Sequence, residues 1–335
     1  MTAAPEGTRA CPKLELHVHF EGTIRAETVL RLAKRHGVPL DAEKPEDLGE
    51  LLHFRDFDHF IEVFLVVTGV LLHEDDFRTI LVEYAEEAAS HGAVYIEGIF
   101  SPAQAVRRGV GWDEVFTGYC DGIQEARELH GVEVRLTPDV TRSFPVEIGE
   151  DVARYSVAYH DRGVVGLGLG GYEAEFPPEP FADVFRIARE GGLGSVPHAG
   201  EVAGPESVRG ALEALQADRI RHGLAAVEDP GLMQELVDRG IVLDVCPTSN
   251  VLTGVVESMD DHPVKGLVQA GVPCSVSTDD PAFFNTDLTR EIDAAWSLGL
   301  HPRDAFAAGL AGALCDDETR ARIRAAGDAF DWDRL

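Results

Sequence analysis

The sequence predicts an α/β fold, namely a (β/α)8 barrel of the TIM type with extra helices between the first two strands. Short apolar runs typical of strands alternate with longer amphipathic helical runs along the 335 residues. Eight strand candidates can be distinguished, and eight regular βα units predict a closed parallel barrel. Histidines and carboxylates end several of these strands, at the barrel edge where functional groups collect.

The first strand candidate covers residues 14–22, where Leu14, Leu16 and Val18 alternate with polar residues. Three helical segments (26–36, 57–71 and 77–91) follow it. They are more helices than a minimal barrel has between its first two strands, and they could roof one end of the barrel. The other predicted strands are 94–100, 132–140, 164–171, 195–201, 219–223, 241–247 and 273–280. The other predicted helices are 112–130, 147–160, 179–190, 205–215, 231–239 and 264–270, with a helical tail beyond residue 288.

The chain is predicted to be one domain over residues 1–335, with residues 1–10 flexible, because no repeat, linker or low-complexity block interrupts it. Its net charge of -30 disfavours nucleic acid and anionic membranes as partners, and no apolar run is long enough to span a bilayer. Five cysteines without a C-x-x-C pair and a polar start without a secretory signal predict a cytoplasmic protein. A homo-oligomer is compatible with this composition.

The first strand carries the clearest functional signal. His17 and His19 lie two residues apart on it and therefore share one face, with Glu21 just beyond. An isolated H-x-H pair is more often two hydrogen-bonded core histidines than a metal site. Polar residues at the ends of distant predicted strands favour the metal site, and these are His198, Glu201, His222, Asp279 and Asp280.

Three imidazoles and one carboxylate suit Zn²⁺ or another borderline divalent ion with an open position for water. We predict that the ligands of this ion are His17, His19, His198 and Asp279. Such an ion lowers the pKa of its water from 15.7 to about 7. His222 would orient that water or take its proton, Glu201 would shuttle a proton, and Asp280 would contact a substrate.

Each residue also has a simpler interpretation. His222 could be a hydrogen-bonded histidine beneath a loop, and Glu201 could cap the next helix. Asp279-Asp280-Pro281 resembles a helix start. The glycines near residue 170 could relieve crowding or let a flat ligand approach backbone N–H groups. The combination of these residues, rather than any one of them, predicts the site.

Five motifs together resemble the adenosine/adenine deaminase family: PKLELHVHFEG at 12–22, HAGE at 198–201, RHG at 221–223, CPTSN at 246–250 and STDDP at 277–281. The resemblance covers nearly the whole chain. It implies one Zn²⁺ on the four ligands named above, with Glu201 protonating purine N1 and His222 deprotonating the water that attacks C6 with loss of ammonia. It also implies that Asp280 bonds N7, that the Gly171 backbone bonds N3, and that Glu21 meets the ribose or its replacement.

The resemblance leaves the substrate open. We expect a 6-aminopurine nucleoside, either adenosine or an adenosine-like nucleoside such as 6-aminodeoxyfutalosine. Gly171 resembles the nucleoside deaminases, whereas Phe176-Pro177-Pro178-Glu179 resembles the adenine deaminases that act on the free base. A barrel that binds nucleoside or metal without catalysis is the alternative from another class. Cytidine-type deaminases are disfavoured, because Ser277 stands where their second cysteine would be.

Overall fold

The computed structural model describes residues 7–51, 54 and 57–335, with the side chains of residues 49–51, 57 and 58 excepted. The strands in these ranges are β1 (Lys13–His19), β2 (Ala93–Ile99), β3 (Glu133–Leu136), β4 (Asp139–Thr141), β5 (Gly166–Gly170), β6 (Gly194–Ser195), β7 (His198–Ala199), β8 (Arg219–His222), β9 (Val242–Val245) and β10 (Cys274–Val276). Four helices lie between the first two strands, where three were predicted: α1 (Ala26–His36), α2 (Pro45–Leu51), α3 (Phe57–Thr68) and α4 (Glu74–Ser90).

The remaining helices follow the strands, as βα alternation predicts. They are α5 (Pro102–Arg107), α6 (Trp112–His130), α7 (Val146–Ala158), α8 (Ala182–Glu190), α9 (Pro205–Glu213), α10 (Pro230–Arg239), α11 (Pro247–Leu252), α12 (Val264–Gln269), α13 (Pro281–Phe284), α14 (Leu288–Ser297), α15 (Pro302–Gly312) and α16 (Asp317–Ala329). Within the described ranges, none of these helices combines the length and the apolar character needed to cross a bilayer.

The strands close into a parallel barrel, so the predicted fold class is confirmed. Every pairing between neighbouring strands is parallel. The ring closes where the segment after β10 meets β1, because His19 N–H donates to the Asp279 carbonyl at 2.8 Å and Asp279 N–H donates to the His17 carbonyl at 3.1 Å. This closure places Asp279 directly beside the two histidines of β1.

Two predicted strands are each interrupted by a proline, which cannot donate to a strand ladder. Residues 132–140 form β3 and β4 on either side of Pro138, and residues 195–201 form β6 and β7 on either side of Pro197. Both halves stay in the barrel, since Gly168 N–H donates to the Pro138 carbonyl and Val196 N–H donates to the Leu167 carbonyl. The ten short strands therefore occupy the eight strand positions of the barrel, because β3 and β4 share one position and β6 and β7 share another.

Apolar side chains fill the space between the barrel and its helices, while the barrel interior holds buried charges. Arg219 pairs with Glu97 at 2.7 Å and with Asp244 at 2.6 Å, and all three side chains are fully buried. Residues 1–6, part of the segment predicted to be flexible (1–10), lie outside the described residues. In the adjoining turn, the buried Thr8 accepts a hydrogen bond from Lys13 Nζ through its carbonyl.

Candidate active site

The predicted functional side chains meet at the carboxyl end of the barrel. β1 supplies His17 and His19, β7 supplies His198, and β8 ends at His222. Asp279 follows β10. Both His222 and Asp279 adopt left-handed backbone conformations, with φ of 63° and 66°, which are uncommon for residues other than glycine. Such conformations cluster where function requires a fixed side-chain direction.

Four ligand atoms converge in the way a metal site requires. His17 Nε2 lies 3.2 Å and His19 Nε2 lies 3.4 Å from Asp279 Oδ1, and the Nε2 atoms of His19 and His198 are 3.2 Å apart. One ligand atom each of His17, His198, His222 and Asp279 also falls within 4.8 Å of the others. His222 is therefore close enough to act on anything held by the ligands.

The protonation states suit a divalent cation. Burial lowers the pKa of His17 to about 3 and that of His19 to about 4, so both imidazoles are neutral at pH 7 and offer a lone pair. His198 Nδ1 lies 3.0 Å from the Leu169 carbonyl, which can only accept, so His198 Nε2 carries the lone pair that faces the cluster. Burial opposes the ionisation of Asp279, but His17 holds the pKa of Asp279 below its usual range.

The buried His17 Nε2 makes no well-aligned hydrogen bond within the described residues, although Asp279 Oδ1 lies 3.2 Å away. An unpaired buried ring nitrogen is costly, and a metal ligand bond would satisfy it. Ser249 donates to Asp279 Oδ2 at 2.6 Å, which fixes this carboxylate with Oδ1 toward the histidines. Three neutral nitrogens and one oriented carboxylate fit Zn²⁺.

Glu201 faces the cluster from the loop between β7 and α9. Its Oε2 lies 3.5 Å from His222 Nε2, and this nitrogen is also 3.9 Å from Asp279 Oδ2. Burial and the charge of Asp279 raise the pKa of Glu201 well above its usual range, which favours the protonated form of this side chain. Burial lowers the pKa of His222, which leaves it neutral and able to accept a proton.

Asp280 lines the same cavity, and its buried Oδ1 has no hydrogen-bond partner within the described residues. Burial and the neighbouring Asp279 raise the pKa of Asp280, which favours its protonated form, the form that can donate a hydrogen bond. Gly22 permits this arrangement, because a Cβ at that position would lie 2.0 Å from Asp280 Oδ1.

Gly171 and Glu21 differ in their placement. Gly171 lines the cavity with a φ of 99°, a conformation that leaves its backbone open toward a ligand and that other residues rarely adopt. Glu21 is buried behind the cavity wall and accepts a hydrogen bond from Ser101 N–H at 2.8 Å through Oε1. Ser101, rather than Glu21, is the residue of this pair that lines the cavity.

Of the extra helices between β1 and β2, α3 lines the cavity. Helix α3 contributes an apolar wall, whose members are Phe60, Ile61, Phe64 and Leu65. Ser101, Gln104 and Thr141 add neutral polar groups to the lining. The cavity therefore combines the predicted functional side chains with an apolar wall and neutral polar groups.

Sequence reasoning missed several residues of the site. Asp139 lines the cavity, pairs with Arg221 at 2.5 Å and lies 3.4 Å from His198 Nδ1. Asp139 is the penultimate residue of the predicted strand 132–140, so its position near the end of that strand was a usable signal. Arg142 donates to the His198 carbonyl at 2.6 Å, and Glu173 accepts hydrogen bonds from the loop that carries Glu201. Neither has a recognisable local pattern.

The chain is similar to several known deaminases and amidohydrolases. The sequence model of the adenosine deaminase family matches residues 12–327. An aminodeoxyfutalosine deaminase from Acidothermus cellulolyticus is 48% identical over 98% of this chain and 94% of its own length. The crystal structure of an adenine deaminase from Arthrobacter aurescens superposes with a TM-score of 0.90 at 29% identity, covering 95% of this chain and 98% of the other. An amidohydrolase from Burkholderia ambifaria, solved with bound Zn, gives 0.88 at 29% identity over 96% of this chain and 90% of its own.

Proposed function

The chain belongs to the adenosine deaminase family, and we propose that it uses one zinc ion to hydrolyse the 6-amino group of a purine nucleoside, releasing ammonia. It is a hydrolase acting on the C–N bond of a cyclic amidine. The observation that carries the proposal is the convergence of neutral histidines, an oriented aspartate and a protonated glutamate in one cavity. We assign the whole chain, residues 1–335, to a single catalytic domain.

We place the zinc ion on His17, His19, His198 and Asp279. When bound, zinc lowers the pKa of a water molecule to about 7 and so supplies hydroxide at neutral pH. The fit rests on the neutral imidazoles, the unpaired His17 Nε2 and the Ser249 hydrogen bond that directs Asp279. The zinc found in the Burkholderia ambifaria amidohydrolase supports this choice of metal.

The acid–base steps are assigned to Glu201 and His222. Protonated Glu201 donates to ring nitrogen N1, which makes C6 a better electrophile for the attacking water. Neutral His222 accepts the proton that this water loses, and its 3.5 Å distance from Glu201 supports a common reaction centre. His222 then passes the proton that it accepted to the amino group, the C6–N bond breaks with release of ammonia, and the proton of the new C6 hydroxyl returns to Glu201 as the C6 carbonyl forms.

Asp280 and Gly171 are assigned to substrate recognition. Protonated Asp280 donates to the acceptor N7, which would satisfy the unpaired carboxyl oxygen. The backbone N–H of Gly171 donates to N3. Glu21 is assigned an indirect role. Its carboxylate accepts a hydrogen bond from the Ser101 N–H and so fixes Ser101, which lines the cavity and which we assign to the sugar. These contacts would hold the purine ring flat against the barrel edge.

We propose a nucleoside rather than a free base as the substrate. Besides the groups assigned to the purine, the cavity lining includes Ser101, Gln104 and the α3 wall, which we assign to the sugar and its substituent. The 48% identity to an aminodeoxyfutalosine deaminase supports a nucleoside with a substituted sugar.

All five cysteines are free of disulfide bonds, which supports our proposal that the protein works in the cytoplasm.

The substrate assignment is tested by incubating zinc-loaded protein with adenosine, 2′-deoxyadenosine, adenine and 6-aminodeoxyfutalosine. Ammonia release and the purine absorbance change report turnover. We expect one of the nucleosides to react at least tenfold faster than adenine, because only a nucleoside would contact the residues assigned to the sugar as well as those assigned to the purine. Turnover of adenine alone would replace our assignment with the free-base alternative.

The pH dependence of kcat/KM follows from Glu201. Its pKa is raised by burial and by Asp279, and it acts only while protonated, so activity should persist above the usual pKa range of a glutamate. Activity should then fall as the pH rises through this raised pKa, since the proton is lost. A pH series at saturating zinc measures this limb. Activity that keeps rising from neutral to alkaline pH would contradict a protonated Glu201.

A further inference from the structure

One buried carboxylate outside the reacting groups has an unusual set of partners. Glu173 accepts hydrogen bonds from four successive backbone N–H groups, those of Gly200, Glu201, Val202 and Ala203, at 2.5, 3.0, 2.9 and 3.2 Å. The Ser207 hydroxyl donates to Glu173 at 2.5 Å as a fifth partner. Glu173 is only 3% exposed, so water cannot substitute for these bonds.

The segment held by Glu173 carries Glu201. It connects β7 to α9 without regular secondary structure, and it begins at Gly200, whose φ is 67°. The four N–H groups of this turn have no neighbouring strand to supply carbonyl acceptors. The two oxygens of one carboxylate can accept all four hydrogen bonds. Arg142 holds the start of the same segment through the His198 carbonyl.

Glu173 also connects two parts of the active site. Glu173 lies two residues after Gly171, which lines the cavity. It also accepts a hydrogen bond from the backbone N–H of Glu201, 28 residues further along the chain. Glu173 therefore ties the loop that carries Glu201 to the segment that follows Gly171.

We propose that Glu173 is a positioning residue that fixes the acid Glu201 against the purine by binding the backbone N–H groups of residues 200–203. This proposal rests on the proposed deaminase function. Glu173 does not line the cavity, so it acts through Glu201 and not on the substrate. A displacement of about 1 Å of a catalytic group can lower the rate about 10²-fold, which sets the size of the expected effect.

The test replaces Glu173 by glutamine. Glu173→Gln keeps the shape but turns an acceptor into an N–H₂ group that faces backbone donors, so the loop must shift. We expect kcat to fall about 10²-fold while KM changes less than about threefold and zinc stays at one per chain. Glu206→Gln is the matched control, because Glu206 is exposed on the adjoining helix α9 and should keep wild-type kcat.

Hydrogen exchange of the peptide covering residues 199–204 gives a second measurement, which does not depend on activity. We expect slow exchange in the wild type and faster exchange in Glu173→Gln. Fast exchange in the wild type would overturn the proposal even if the variant does not fold. A Glu173→Gln kcat within about threefold of wild type, or a loss of kcat that follows loss of zinc, would also overturn it.

These outcomes separate the two proposals. A wild-type protein without deaminase activity would overturn the proposed function and, with it, the role of Glu173. An active wild type with an equally active Glu173→Gln variant would overturn only the role of Glu173.

Discussion

Replacing Glu201 by glutamine is expected to lower kcat by about 10³-fold, within the range of about 10²–10⁴ that a general acid contributes. Glutamine matches the shape of glutamate but cannot give a proton to the ring nitrogen. Zinc content and KM should change little, because Glu201 is not among the proposed ligands and its contribution is made in the transition state. Steady-state kinetics with metal analysis measure both.

The same variant provides an internal check through pH. If Glu201 is the acid, Glu201→Gln should lose the alkaline decline of kcat/KM that the wild type shows. Glu206→Gln, an exposed carboxylate change five residues away, should behave as the wild type does. Wild-type turnover by Glu201→Gln would refute the assignment of the acid.

Removing the metal is expected to have the largest effect of all. Dialysis against a chelator should abolish deamination, and added Zn²⁺ should restore it, because neutral water is too weak a nucleophile without the ion. His19→Ala should weaken zinc binding by more than about 10²-fold, since even the loss of an outer partner of a ligand costs about 10–100-fold.

His160→Ala is the control for the ligand change. His160 is exposed and precedes β5, at the opposite end of the barrel from the site. Zinc binding and turnover should both be unchanged in this variant. Full activity of the chelated wild type would refute the metal assignment.

The fold and the reacting groups could be predicted because both follow from periodicity. Eight alternating units specify a parallel barrel, and a barrel brings the ends of distant strands together. His17, His198 and Asp279 are far apart in sequence, but His17 lies near the end of β1, His198 lies in the short strand β7, and Asp279 follows β10. Their meeting required no knowledge of side-chain packing.

The remaining parts of the site depend on tertiary contacts that have no local pattern. Glu173 binds a loop 27 to 30 residues downstream, and nothing in its neighbourhood indicates this partner. Glu21 stays predicted to meet the sugar, but the hydrogen bond that its Oε1 accepts from the Ser101 backbone has no signal in the sequence. Pro138 and Pro197 did carry a signal, since proline interrupts strand hydrogen bonding.

The central claim, hydrolysis at purine C6, is tested most directly in water enriched in ¹⁸O. Zinc-loaded protein is incubated with the reacting nucleoside, and the product is analysed by mass spectrometry together with ammonia. We predict one ¹⁸O atom in the purine of each product molecule and one ammonia per turnover. Release of free adenine, or an unchanged nucleoside with zinc bound, would contradict the claim, and the second result would favour a barrel that only binds.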